Sequence, residues 1–173
     1  MDLDYGPQYD AFRAEIRAFI NAHRHLAPPS ATRFSRPSAE AIRWQKLLIE
    51  HGYTARTIPA EYGGYGAAPD ILKSRIIAEE FSRARLPSGL ANQGISMLVP
   101  TLLELGTDEQ KRRWIAATLT GEVVWCQGYS EPGAGSDLAN LKTSARIENG
   151  EFVINGQKIW TSTAKQADMI FCL

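Results

Sequence analysis

The chain has 173 residues and carries 19 basic and 19 acidic side chains, so its formal net charge is zero, and 44% of its residues are hydrophobic. Electroneutrality gives no global attraction to nucleic acid, an anionic membrane or a polyanion, and this hydrophobic content excludes a disordered chain. The N-terminus shows no basic segment followed by an apolar stretch, and no apolar run approaches membrane-spanning length, so a soluble, cytoplasmic protein with no membrane span is expected.

Residues 8–26 predict a helix, with Phe12, Ile16, Phe19 and Ile20 on one stripe and Arg13, Glu15 and Arg17 away from it. Ala27, Pro28, Pro29 and Ser30 stop it. A second helix is expected from Ser38 as N-cap, through Ile42, Leu47, Leu48 and Ile49, to Gly52. The Gly- and Pro-rich stretch 58–69 reads as a loop. It is no P-loop, because no Gly-Lys-Ser/Thr follows Gly63, Gly64 and Gly66. A third helix begins near Asp70, carries Ile71, Leu72, Ile76, Ile77 and Phe81, and ends before Pro87. Residues 89–106 are almost uncharged and are interrupted by Gly94 and Pro100, which predicts a buried, kinked helix or two short ones. Thr107 and Gln110 then fit a capping box for a helix that carries Trp114, Ile115 and Leu119 and stops before Gly121.

From Glu122 onward the pattern becomes that of strands. Val123–Cys126 is an apolar run, and residues 143–147 and 151–154 flank an Asn149-Gly150 hairpin turn. Asn155-Gly156 turns the chain again before a strand expected over 157–161, and residues 169–173 form a last apolar strand. The expected fold class is α+β: an N-terminal α-helical bundle over residues 1–121, then the first, incomplete part of an antiparallel β domain over 122–173. Cys126 and Cys172 lack metal-ligand spacing and read as reduced core residues, with a disulfide between them left open. His23 and His25 are two apart on a helix and cannot face one metal together, and His51 stands alone in the sequence, so no metal site is expected. The Lys111-Arg112-Arg113 cluster reads as a solvated helix face.

The stretch with chemical content is 123–163. Gly133, Ala134 and Gly135 keep side chains out of a loop that Ser130, Ser136 and Asp137 flank, which lets backbone N–H groups approach an anion or a planar ring. Taken alone, the loop is also good surface-turn chemistry. The sequence Ser-Glu-Pro-Gly-Ala-Gly-Ser-Asp at 130–137, followed by Ile-Asn-Gly-Gln-Lys-Ile-Trp-Thr-Ser at 154–162, closely resembles the flavin-binding signature of the acyl-CoA dehydrogenase family. Ile-Pro-Ala-Glu-Tyr-Gly-Gly at 58–64 and Leu-Gly-Thr-Asp-Glu-Gln-Lys-Arg-Arg at 105–113 are similar to that family as well.

The resemblance implies FAD as cofactor, an acyl-CoA thioester as substrate, dehydrogenation between Cα and Cβ, and an electron-transfer flavoprotein or similar acceptor as partner. It assigns flavin contacts to Gln127, Tyr129, Ser130, Gly135, Ser136, Trp160, Thr161 and Ser162, with Ser136 also meeting the CoA substrate. Without the flanking motif, Ser130 would read as a cap of the turn before Pro132, Ser136 as a turn partner of Asp137, and Trp160 as a core residue of a strand. Many members carry Thr where Ser130 stands and Ile-Thr where Thr161-Ser162 stands; hydroxyls survive at the contact positions, but the variants suggest a different acyl preference. The family's catalytic glutamate belongs to a C-terminal helical domain beyond Leu173, and Glu131 has no claim to that role. The chain is therefore expected to hold no catalytic residue, to stop inside its β domain, and to self-associate or rely on a partner chain that completes the fold. Two other readings share these residues: a non-catalytic interaction subunit beside a homologue, and a flavin oxidase or monooxygenase of the same fold.

Overall fold

The computed structural model describes residues 6–29 and 35–173. The chain divides into two compact units, the first holding residues 37–122 with the segment before 34, the second holding 123–173 together with 34–36.

The first unit is helical. Helix α1 (Pro7–His23) starts with proline in its first turn, where a missing N–H is harmless, and a 3-10 turn over Arg24–Leu26 continues it. Helix α2 (Ala39–Glu50) is capped by Ser38, whose hydroxyl accepts from the Ala41 N–H at 3.2 Å. Asp70 caps α3 (Ile71–Ala84) in the same way, accepting from Lys73 N–H at 3.0 Å. Helix α5 (Asp108–Thr120) carries the full Thr107/Gln110 capping box and ends at Gly121, which takes a left-handed φ of 81°.

Between them, a π-helical turn over Gly94–Leu98 runs into α4 (Val99–Leu105). This is the form that the expected kink takes. Pro100 lies in the first turn of α4, and a wider preceding turn accommodates a residue that cannot donate a backbone hydrogen bond. The expected burial of this segment holds for Val99, whereas Leu105 at its end is exposed. Ile71 is likewise exposed, although it belongs to the apolar set read for α3. At the helical repeat it is turned well away from Ile76 and Ile77, which lie on the buried face.

The main core joins α1, α2 and α3 through Ile16, Phe19, Ile20, Trp44, Leu48, Tyr53, Ile76, Ile77 and Phe81. A smaller one holds Val99, Ile115 and Leu119. Several buried polar side chains of this unit are paired with backbone groups of distant segments. Gln45 donates to Leu119 C=O at 2.7 Å and accepts from Leu90 N–H at 2.8 Å, and Trp44 donates to Pro87 C=O at 2.8 Å. Glu80 accepts both Arg13 and Arg17, which ties α3 to α1 and holds its carboxyl below the usual range, chiefly through Arg17.

The second unit is a β structure in two pieces. Strands β2 (Ser144–Glu148) and β3 (Glu151–Asn155) pair antiparallel as the expected hairpin, turned by Asn149 and Gly150 with φ of 54° and 82°. Strand β1 (Trp125–Gly128) instead pairs with β4 (Met169–Cys172) in parallel, a local departure from the antiparallel reading. The forty residues between them form a long connection that brings β4 back in the same direction as β1. Asp168 begins β4 by accepting Val124 N–H at 2.9 Å and Arg36 at 2.7 Å.

The strand expected over 157–161 is absent, because Trp160 takes a φ of 52° and the chain turns immediately afterwards. Cys126 is buried, and burial raises its thiol pKa, but Cys172 is exposed, so only one of the pair is a core residue; both are free thiols. Phe81 has no exposed surface and lies among Phe19, Trp44 and Tyr53. Phe81→Ala is therefore expected to lower the unfolding free energy by about 3–5 kcal/mol, measured by urea unfolding.

Candidate functional site

The loop after β1 is fixed by one carboxylate. Glu131 is buried and accepts hydrogen bonds from Lys142 N–H at 2.8 Å, Thr143 N–H at 2.9 Å, the Thr143 hydroxyl and the Lys158 ammonium, the last at 2.8 Å. Its own backbone closes the loop, with Glu131 N–H donating to Ala134 C=O at 2.9 Å and Ala134 N–H returning to Glu131 C=O at 3.1 Å. Lys158 donates a second bond to Tyr129 C=O at 3.1 Å, and Ile159 N–H donates to Ser130 C=O at 2.9 Å. The segments 129–131, 142–143 and 158–159 therefore converge on a few buried polar atoms. Such groups are tolerated because each is paired.

These bonds leave the tip of the loop bare. A Cβ added at Gly133 would meet nothing within 4 Å, and one added at Gly135 would meet only the Trp160 ring, at 3.7 Å. Neither glycine has a positive φ, so backbone conformation does not require glycine at either position. Trp160 is 77% exposed, which corrects the reading of its ring as a strand-core residue. A large ring in solvent beside an uncovered glycine backbone has the form of one side of a slot.

Of the residues singled out from the sequence, Gly135 and Trp160 are brought together, and Tyr129 and Ser130 are tied through their carbonyls to the 158–159 segment. Gln127 lies on β1 opposite Phe171 in register, and the Tyr129 and Phe171 rings meet edge to face at 5.7 Å. Ser130 and Thr161 are half-buried, and Ser136 and Ser162 are exposed. Ser136 and Asp137 lie beside the 3-10 turn Leu138–Asn140 at the outer edge of the loop. The sequence motif shows neither the structural role of Glu131 nor any special place for Lys158. The sequence offered one signal, an acidic residue inside the first motif and a lysine inside the second.

Among the described residues, no group of three or more His, Cys, Asp or Glu side chains could hold a metal, and no helix is long and apolar enough to cross a membrane. His51, solitary in the sequence, meets His23 across the helical core with ring centroids 5.9 Å apart.

Lys158 first, then the Thr143 hydroxyl and the Lys142 N–H, hold the Glu131 carboxyl down to about 2. A depressed carboxyl contributes stability that is fully present above its unfolded value, near 4.5, and lost as pH falls toward about 2. Wild-type protein is expected to lose thermal stability across that window, and Glu131→Gln to lose less of it. Identical pH profiles for the two proteins would contradict this assignment.

The family model described as "Acyl-CoA dehydrogenase, N-terminal domain" matches residues 6–122, and the one described as "Acyl-CoA dehydrogenase, middle domain" matches 126–173. "Acyl-CoA dehydrogenase IpdE1" of Mycobacterium tuberculosis is 36% identical over 173 residues, covering 95% of this chain and 44% of its own length. Among solved structures, the ChsE4-ChsE5 complex from Mycobacterium tuberculosis matches with a TM-score of 0.67 at 33% identity, over 99% of this chain and 43% of that one. An acyl-CoA dehydrogenase complexed with FAD from Bacillus anthracis matches with a TM-score of 0.57 at 29% identity, over 98% of this chain and 30% of that one. The chain thus spans less than half the length of the relatives it matches.

Proposed function

Because this chain belongs to the acyl-CoA dehydrogenase family, we propose that it supplies the FAD-binding part of an enzyme that dehydrogenates an acyl-CoA thioester between Cα and Cβ. The division of labour follows the chain, with an N-terminal helical domain over 1–121 and the start of the flavin-binding domain over 122–173. A cytoplasmic setting is part of this reading, in keeping with the free thiols of Cys126 and Cys172.

The observation that carries the proposal is the exposed pair Gly133 and Gly135 on either side of buried Ala134, with the exposed Trp160 ring next to Gly135. The residues present fit a flavin. An uncovered backbone suits a planar, polar ring, an indole supplies an apolar face, and hydroxyls at Ser130, Thr161 and Ser162 are available as donors. FAD, when bound, supplies the acceptor for the hydride that leaves Cβ. The protein's part is to bind and orient. Gln127, Tyr129 and Ser130, at the end of β1, would flank bound FAD, with the Ser130 hydroxyl as a donor to the charge it gains on reduction. Trp160 would shield the cofactor from water, Thr161 and Ser162 would donate to it, and Ser136 would reach both cofactor and CoA substrate. The α-proton is removed by a carboxylate other than Glu131, whose oxygens are engaged by four donors. Reoxidation falls to an electron-transfer flavoprotein or a similar acceptor.

A further polypeptide belongs to this reading. Ala145, Ile147, Phe152 and Ile154 share one face of the hairpin by register, and Ile147, Phe152 and Ile154 are all exposed. An apolar sheet face in water invites a covering chain, and the matched ChsE4-ChsE5 structure is itself a complex. We infer that a second copy or a partner chain covers this face. Light scattering across a range of concentrations is expected to show association or recruitment, and a stable monomer that binds no hydrophobic dye would contradict it.

The glycines give a direct test of the flavin site. Gly133→Ala and Gly135→Ala meet no clash within the protein and need no left-handed backbone, so each is expected to leave the thermal midpoint unchanged or slightly raised. Flavin binding, followed by visible absorbance, is expected to weaken at least tenfold in the double variant. Equal affinity in wild type and variant would remove the site from this loop.

A further inference from the structure

Lys158 sits two residues before Trp160 and is almost buried, its side chain 10% exposed, as is that of its partner Glu131 at 7%. The ammonium bridges two acceptors that belong to different parts of the loop, the Glu131 carboxylate at 2.8 Å and the Tyr129 carbonyl at 3.1 Å. The next residue, Ile159, is pinned by its backbone to Ser130 at 2.9 Å. Only then does the chain leave the loop, and it does so through a tryptophan with a φ of 52°. A bulky L residue in the left-handed region is strained, and such strain persists only where neighbouring contacts over-determine it. Here those contacts are the two bonds of Lys158 and the one from Ile159 before the ring, and after it the turn in which Ala164 N–H donates to Thr161 C=O at 3.2 Å. Of these, only the Lys158 bonds come from a side chain.

We propose that Lys158, through Glu131 and the Tyr129 carbonyl, is the positioning residue that holds the exposed Trp160 ring beside Gly135. Ring and loop are thereby preset as one side of a slot for a planar ligand. The inference about the ligand rests on the flavin reading above; the inference about the ring does not. An ion pair suits this task better than an apolar contact of equal volume, because its hydrogen bonds have direction as well as strength. A ring held in place before binding spares the ligand the ordering cost of that side chain, so the effect appears in affinity.

The test compares wild type, Lys158→Met, Lys158→Arg and the uncharged pair Glu131→Gln/Lys158→Met in the full chain. Acrylamide quenching of each protein, minus that of the same protein carrying Trp160→Phe, isolates this ring from Trp44, Trp114 and Trp125. FAD affinity is measured in parallel by flavin fluorescence. Lys158→Met is expected to change the Trp160 quenching constant at least twofold and to weaken FAD binding at least tenfold. Lys158→Arg, which keeps a charged donor, restores both in part. A purely structural role predicts a lower thermal midpoint with the Trp160 signal unmoved, and that result overturns the proposal. So does an unchanged FAD affinity in a variant whose Trp160 signal has moved. If Lys158→Met loses its circular dichroism, the uncharged pair decides by the same readings. If wild type binds no FAD, the flavin reading fails and the Trp160 quenching alone decides the positioning role.

Discussion

The second unit of this protein depends on the hydrogen bonds of one buried carboxylate. Glu131 receives an ammonium, a hydroxyl and two backbone N–H groups, and these come from the start of the hairpin and from the segment before Trp160. A buried charge is costly unless its lone pairs are filled, and here they are. Because the donors come from distant points of the chain, satisfying the charge also fixes the loop, the entry to β2 and the exit toward Trp160 relative to one another. The glycines at the loop tip can then stay uncovered without leaving the loop loose. Gly156 reinforces the arrangement, since any Cβ there would collide with Thr143, one of the Glu131 donors.

The helical unit applies the same principle with different groups. Its apolar core is built from one face each of α1, α2 and α3, and two buried polar side chains join elements: Gln45 links α2 to the end of α5, and Glu80 links α3 to α1. These bonds add direction to packing that is otherwise nonspecific. The helices also begin and end where local chemistry dictates, at Ser38, Asp70, Thr107 and Gly121. Stability here is distributed, whereas in the β unit it is concentrated around a single site. A candidate binding loop tolerates that concentration because its ends are fixed and its tip is free.

Much of this was legible in the sequence. Helix limits followed from caps and from apolar periodicity, and the hairpin followed from Asn149-Gly150, because these are local preferences that a few neighbouring residues decide. The family resemblance was legible for a related reason: the glycine loop and the Lys-Ile-Trp segment keep their residue types at fixed spacing. Tertiary structure decided the rest. Residues 157–161 have the composition of a strand, but their hydrogen bonds go to a loop thirty residues earlier, and Trp160 turns the chain instead of extending it. The parallel pairing of β1 with β4 and the meeting of His23 with His51 likewise arise from contacts between residues far apart in sequence. Glu131 and Lys158 are unremarkable as letters, one in a turn and one in a presumed strand. Their importance comes from burial, which removes water as a partner and makes each the other's counter-charge, and burial is a property of the folded chain alone.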